Sequence, residues 1–332
     1  MTGTKGSGAT WLFALGYFGA YVPYSALTKA LSSGELGPKL QGLEVVPVTT
    51  TTSMLAMVAF VSLTGWWRAA GGFVVLGPVR LPRPSWWTFL SGLCTAAIVV
   101  TTTLAYTFEG VSIVLSMVLM RGGVLASAPV VDALGGRAVS REAKLALGLT
   151  LAALFISPLR DPQLTWVAVV NVVVYVAAYF FRLRAMTHLA KTEDPSVTRR
   201  YFVEEQLVAT PAAVLALAGV ALLGPPSVSA PLTRGFLEVP LTAALPVLVV
   251  IGLCSQGTGV FGALVLLSPR ENSFAVPLNR ISSVVAGVGA SLLVTTLWGG
   301  EPLAAGEWWG AGVLALALLV LSRSKKPAPA KA

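Results

Sequence analysis

Arg121 stands inside an otherwise apolar run, VSIVLSMVLM before it and GGVLASAPVV after it, about ten residues from either end of a membrane-length segment. A charge at that depth costs about 2.5 to 3.5 kcal/mol on insertion scales and by default marks a functional site. Arg280 lies in the first half of a second such run, SFAVPLNRISSVVAGVGASLLVTTL. Guanidinium groups offer forked donors that match carboxylate and phosphate oxygens, so the pair points to a path for an anionic solute. The structural alternative is snorkelling or an ion pair. Arg280 is about 10 Å from the end of its run at 1.5 Å rise per residue, within reach of headgroups. Arg121 reaches them less easily, and the acidic residues flanking it, Glu109 and Asp132, lie near opposite ends of its own segment.

Two stripes of polar aromatics accompany the arginines. Tyr17, Tyr21 and Tyr24 recur at i, i+4 and i+7; Asn171, Tyr175, Tyr179 and Arg182 at i, i+4, i+8 and i+11, each set lying on one helical face. Hydroxyls and amides surrounded by Val and Ala need partners in hydrocarbon, either a solute or a neighbouring helix. Gln256, amid glycines, is open to the same two readings, cavity or close helix packing. Arg200 and Glu204 form an i,i+4 pair, and Glu204 and Glu205 are candidates for coupling or gating as well as for an interfacial ion pair. Thr49 to Thr52 follow Pro47, where their hydroxyls can re-satisfy carbonyls loosened by the proline.

The inventory argues against an enzyme. One histidine (His188), two cysteines in separate apolar runs (Cys94 and Cys254) and three aspartates assemble no metal site, paired-aspartate site or metal-phosphate motif. No cofactor is called for. A channel or receptor is the other rival class.

These residues must be carried by membrane helices. The 332 residues are 55% hydrophobic and 11% charged, with a mean hydropathy of +0.78, too apolar for a water-soluble globule. Runs near span length predict ten transmembrane helices, at 9–30, 45–66, 86–106, 111–133, 143–158, 164–186, 197–223, 243–267, 273–297 and 307–322. The first has no clean cleavage site and reads as a retained helix. With the N-terminus inside, 17 basic residues fall on the inner side and four outside, which places both termini in the cytoplasm and the chain in a multi-pass cytoplasmic membrane. The net charge of +9 thus reflects topology and lipid contact, with no nucleic-acid partner. All nine tryptophans fall at predicted helix ends, as interfacial belts require.

Laying 9–30 over 164–185 matches Thr10 to Thr165, Trp11 to Trp166, Tyr24 to Tyr179, Lys29 to Arg184 and Ala30 to Ala185. Arg121 and Arg280 each occupy the fourth span of a five-span half. Five is odd, so tandem copies lie in opposite orientations, an all-α integral membrane fold of two inverted repeats, 1–160 and 161–332, the second ending in a basic tail.

This organisation resembles the drug/metabolite transporter superfamily (ten-helix, EamA-like members). The segment SMVLMRGGVLASAPVVDALGGRAVS at 116–140 is similar to the Leu-Arg-Gly helix of its nucleotide-sugar-transporter-like branch, with Met120 where leucine is usual and without the glutamine expected a few residues earlier. Residues 279–322 are similar to the ninth helix, acidic loop and tenth helix found there. The resemblance implies a secondary transporter of a small polar solute, with a central cavity lined by the first, third, fourth, sixth, eighth and ninth spans. Amino acids or drug-like compounds are the alternative cargo. The fifth and tenth spans would support the cavity or build a homodimer.

The charge asymmetry makes a topology prediction. In a background lacking Cys94 and Cys254, a cysteine at Lys39 should react with a membrane-impermeant maleimide in intact cells, and one at Arg141 should react only after permeabilisation; the reverse pattern would overturn the orientation.

Overall fold

The computed structural model describes residues 5–37, 39–76, 79–105, 113–136, 138–156, 166–192, 194–299 and scattered positions between 308 and 323. Among these the helices are α1 (Lys5–Ser33), α2 (Gly42–Leu63), α3 (Trp86–Ala105), α4 (Ile113–Leu134), α5 (Arg141–Ile156), α6 (Trp166–Leu189), α7 (Pro195–Leu223), α8 (Pro226–Leu237), α9 (Leu245–Leu266) and α10 (Asn272–Trp298). Gly42–Leu63, Val169–Leu189, Pro195–Leu223, Leu245–Leu266 and Asn272–Trp298 are long and apolar enough to cross a membrane. The first nine predicted spans coincide with α1 to α7, α9 and α10. Half of the tenth, 307–322, lies outside the described residues, and those described within it are helical.

Two elements were absent from the sequence expectation. Between α2 and α3 the chain forms an antiparallel hairpin, β1 (Phe73–Leu76) with β2 (Val79–Pro82), Phe73 opposite Pro82. Between α7 and α9 it forms α8, whose Arg234 Nη1 lies 2.8 Å from Glu44 Oε1 on α2.

The outer surface is apolar, while the largely apolar interior also holds the charged groups, as expected when hydrocarbon is the solvent. Leu12, Leu15, Leu222 and Leu223 are 65% to 90% exposed, whereas Asp132, Glu204, Glu205, Arg121 and Arg280 are buried. With no hydrophobic force between helices in lipid, small residues let backbones approach. On α3, a Cβ at Gly92 would fall 2.5 Å from Val208 Cβ of α7. On α9, one at Gly252 would fall 2.6 Å from Thr52 Cβ of α2. The Ser53 hydroxyl donates to the Gly252 carbonyl at 2.8 Å, and Thr49 donates to the carbonyls of Val45 and Val46 beside Pro47.

The starts of α7 and α10 use polar caps. Asp194 accepts from Ser196 N at 2.8 Å just ahead of Pro195, the side-chain and proline signals of an N-terminus, and the bonds from Ser196 hold its carboxyl below the usual range. The start of α10 is capped from another helix. Asp132 of α4 accepts at one oxygen from Asn272 N (2.9 Å) and Nδ2 (2.8 Å), and at the other from Ser273 N and Oγ (both 2.7 Å).

This inter-helical cap carries a stability prediction. Asp132→Ala leaves two backbone N–H groups and two side-chain donors without their carboxylate. It should cost about 3 kcal/mol in detergent unfolding, the sum of a lost cap and unsatisfied buried donors. An unchanged melting temperature would show that the cap adds nothing to the fold.

Candidate functional site

A cavity of about 170 Å³ lies between α1, α2, α3, α4, α6, α7, α9 and α10. Eight residues picked out by type and spacing line it: Arg121, Arg280, Tyr17, Tyr21, Tyr24, Tyr175, Tyr179 and Gln256. α2 and α7 join the six expected spans in its wall, contributing Thr50, Ser53, Gln206 and Thr210.

Each arginine is oriented by a tyrosine, Arg121 by one on α1 and Arg280 by one on α6. Arg121 Nη2 donates to Tyr21 Oη at 3.0 Å, with its guanidinium carbon 5.9 Å from that ring's centroid. Arg280 Nη1 donates to Tyr175 Oη at 3.1 Å, and its guanidinium carbon lies 4.5 Å from the centroid of Tyr179, close enough for the ring's negative face to attract the cation. The tyrosines pack among themselves, Tyr17 to Tyr21 at 5.6 Å, Tyr21 to Tyr24 at 5.7 Å and Tyr175 to Tyr179 at 4.8 Å. The i, i+4 spacing thus makes two aromatic walls, one on α1 and one on α6.

Asn171 shares the α6 stripe but is not in the lining. It donates from Nδ2 to the Thr101 carbonyl of α3 at 3.0 Å, the helix-crosslinking alternative. Glu204 and Glu205 also lie outside the lining. Glu204 accepts from Gly71 N (2.9 Å), Ser85 N (3.1 Å), Thr88 Oγ1 (2.7 Å) and Arg200 Nε (2.9 Å), joining the segment that bears the hairpin to α3 and α7. Glu205 accepts from Ser91 Oγ (2.7 Å) and Thr95 Oγ1 (3.1 Å), and its two oxygens face Arg182 Nε (2.8 Å) and Nη2 (2.9 Å).

Arg182 is a correction to the charge count. Assigned there to the inner interface, it is instead buried in the cavity wall and neutralised by Glu205. The spacing on α6 placed it on the polar stripe, but its partner lies on the next helix, beyond the reach of any periodicity. Asn279, Gln206, Ser255 and Thr258 are further lining residues not picked as solute ligands. Asn279 carried a signal, standing beside Arg280 in an apolar run.

No family model and no curated protein matches the chain. Among solved structures 27 chains match. One, described only as a crystal structure of a protein, aligns over 94% of this chain and 98% of its own at 14% identity and a TM-score of 0.55. That is a likeness of fold alone.

The buried pair yields a prediction. Arg182 is 6% and Glu205 0% exposed at the side chain, so removing one partner strands a charge. Glu205→Leu and Arg182→Leu should each lose about 3 to 5 kcal/mol of unfolding free energy, and the double variant should recover most of it. Additive losses in the double-mutant cycle would refute the coupling.

Proposed function

We propose that the protein is a secondary active transporter that moves a small, polar, anionic organic metabolite across a membrane by alternating access. The observation that carries the reading is the central cavity, built by both halves of the chain, with a buried arginine from each half in its wall. Among the described residues three cations and no acidic residue line it; Arg182 is balanced by Glu205, and the cationic excess that is left favours an anionic ligand. At about 170 Å³ the space is smaller than the roughly 300–1,000 Å³ of sites for drug-sized ligands, which favours a metabolite of few carbons over a nucleotide sugar or a drug-like compound.

The contacts support the inverted repeat, and with it alternating access. Exchanging α1 with α6, α2 with α7, α3 with α9 and α4 with α10 turns the α1–α9, α1–α10 and α2–α9 packings into α6–α3, α6–α4 and α7–α3, all of which occur. Arg121 lies on α4 and Arg280 on α10, the fourth predicted span of each half, so in antiparallel repeats they approach the cavity from opposite sides. Asp132 joins α4 to the start of α10, a polar contact between the halves of the kind a two-state carrier breaks and remakes and an open pore lacks.

We place both termini in the cytoplasm of a cell whose cytoplasmic membrane holds the protein, and place the chain with the drug/metabolite transporters. The inner basic excess remains large without Arg182. Glu204 and Glu205 act in coupling only if their networks open during the cycle.

Uptake into proteoliposomes tests the reading, using labelled organic acids, sugar phosphates, amino acids and nucleotide sugars with and without counter-substrate. Arg121→Ala should abolish transport yet still insert, while Arg121→Lys should weaken apparent affinity by about 1 to 3 kcal/mol. Normal transport by Arg121→Ala, with expression and stability like wild type, would remove Arg121 from the solute path.

A further inference from the structure

Arg280 offers the cavity more than charge. Its Nη1 is held by Tyr175 and its face by Tyr179, while Nε and Nη2, though buried, meet hydrogen-bond geometry with no described residue. The side chains that interact with it electrostatically are the tyrosines 175, 179 and 17, Tyr179 through its hydroxyl as well as its ring, and no carboxylate among the described residues pairs with it. Nε and Nη2 share one edge of the guanidinium, the side-on fork whose parallel N–H bonds match the two oxygens of a planar carboxylate. The same cavity wall shows that edge occupied: Arg182 presents Nε and Nη2 to the two oxygens of Glu205 at 2.8 and 2.9 Å. A second buried donor, Gln256 Nε2, is likewise without a partner among the described residues and belongs to a lining residue.

From this geometry we infer that Arg280 is the recognition residue for the carboxylate of a small organic acid that carries no ammonium group. The inference rests on reading the cavity as a solute site and names the class of solute. Buried donors left unpaired are costly, and two on one rigid edge are satisfied together by one carboxylate. An amino acid fits the fork equally well at its carboxylate, but its ammonium would enter a space lined, among the described residues, by arginines and no acidic side chain, losing water with no described counter-charge to replace it. The apolar part of the wall, including Ile98, Val99, Met120 and Leu266, suits a short hydrocarbon body.

Binding to the purified full-length protein in detergent, measured by calorimetry, tests this with four probes that share one branched skeleton: 4-methylpentanoate, its neutral amide, leucine and 3-methylbutylphosphonate. Wild type should bind 4-methylpentanoate most tightly, with leucine and the amide at least about tenfold weaker. Arg280→Lys keeps the charge but not the fork and should weaken 4-methylpentanoate by about tenfold or more. Should the lysine variant fail to fold, Tyr175→Phe, which releases Nη1, decides in its place and should weaken the acid by about threefold. Leucine binding as tightly as the acid, the phosphonate binding more tightly, no probe binding to wild type, or undiminished acid binding in the deciding variant would each overturn the assignment. Counterflow of the same probes in proteoliposomes separates the two readings. Carboxylate-selective binding without flux upholds the fork and removes transport, whereas flux indifferent to the carboxylate removes the fork and leaves transport standing.

Discussion

A carboxylate inside hydrocarbon persists only if donors surround it, and that requirement organises this bundle. Asp132 takes four donors from two consecutive residues of α10. Glu204 takes two backbone N–H groups, a hydroxyl and a guanidinium from four separate residues, and Glu205 takes hydroxyls from α3 and a forked pair from α6. Each carboxylate therefore locks several segments at one point, because losing any donor exposes part of a charge to an apolar medium. Apolar packing in lipid supplies no comparable specificity, since lipid tails serve helices as well as neighbouring leucines do. The polar junctions fix which helix meets which.

Against that background the cavity stands out by imbalance. Its walls hold hydroxyls bonded to nearby carbonyls, an amide, Gln256, whose Nε2 has no partner among the described residues, and one arginine balanced by its glutamate. Arg280 keeps one face and one nitrogen engaged while its fork is not. The protein tolerates this because the tyrosines that pin the side chain also spread partial negative charge around it, so the group is preorganised at less cost than an isolated buried cation.

Much of this was legible in the chain because the signals were one-dimensional. Span positions follow from apolar length, and the arginines from charge inside an apolar run. The tyrosine walls follow from i, i+4 spacing, which survives folding because a helix keeps its period. What was lost depends on neighbours. Asn171 has the spacing of a cavity residue yet turns to the Thr101 carbonyl, since α3 covers that end of the stripe. Arg182 is indistinguishable by composition from an interfacial arginine until Glu205 lies beside it. α8 is short, and the prolines at 225, 226 and 231 read as loop, while its docking depends on Arg234 finding Glu44 on a distant helix. The hairpin was legible in principle: two short β-prone runs flank Gly77–Pro78, a turn signal masked by the search for long spans.

The anchoring of the hairpin segment by Glu204 has a consequence for how this chain tolerates change. One carboxylate fastens the backbone at Gly71 and again at Ser85, closing the intervening stretch into a loop with its feet on the same clamp. The clamp, and not the length of the stretch, sets where α3 begins against α7. Loop-closure entropy grows only slowly with length, so residues gained or lost between the two feet would leave the helix register intact. This stretch is where a change of length, or the insertion of a reporter domain, would disturb the bundle least.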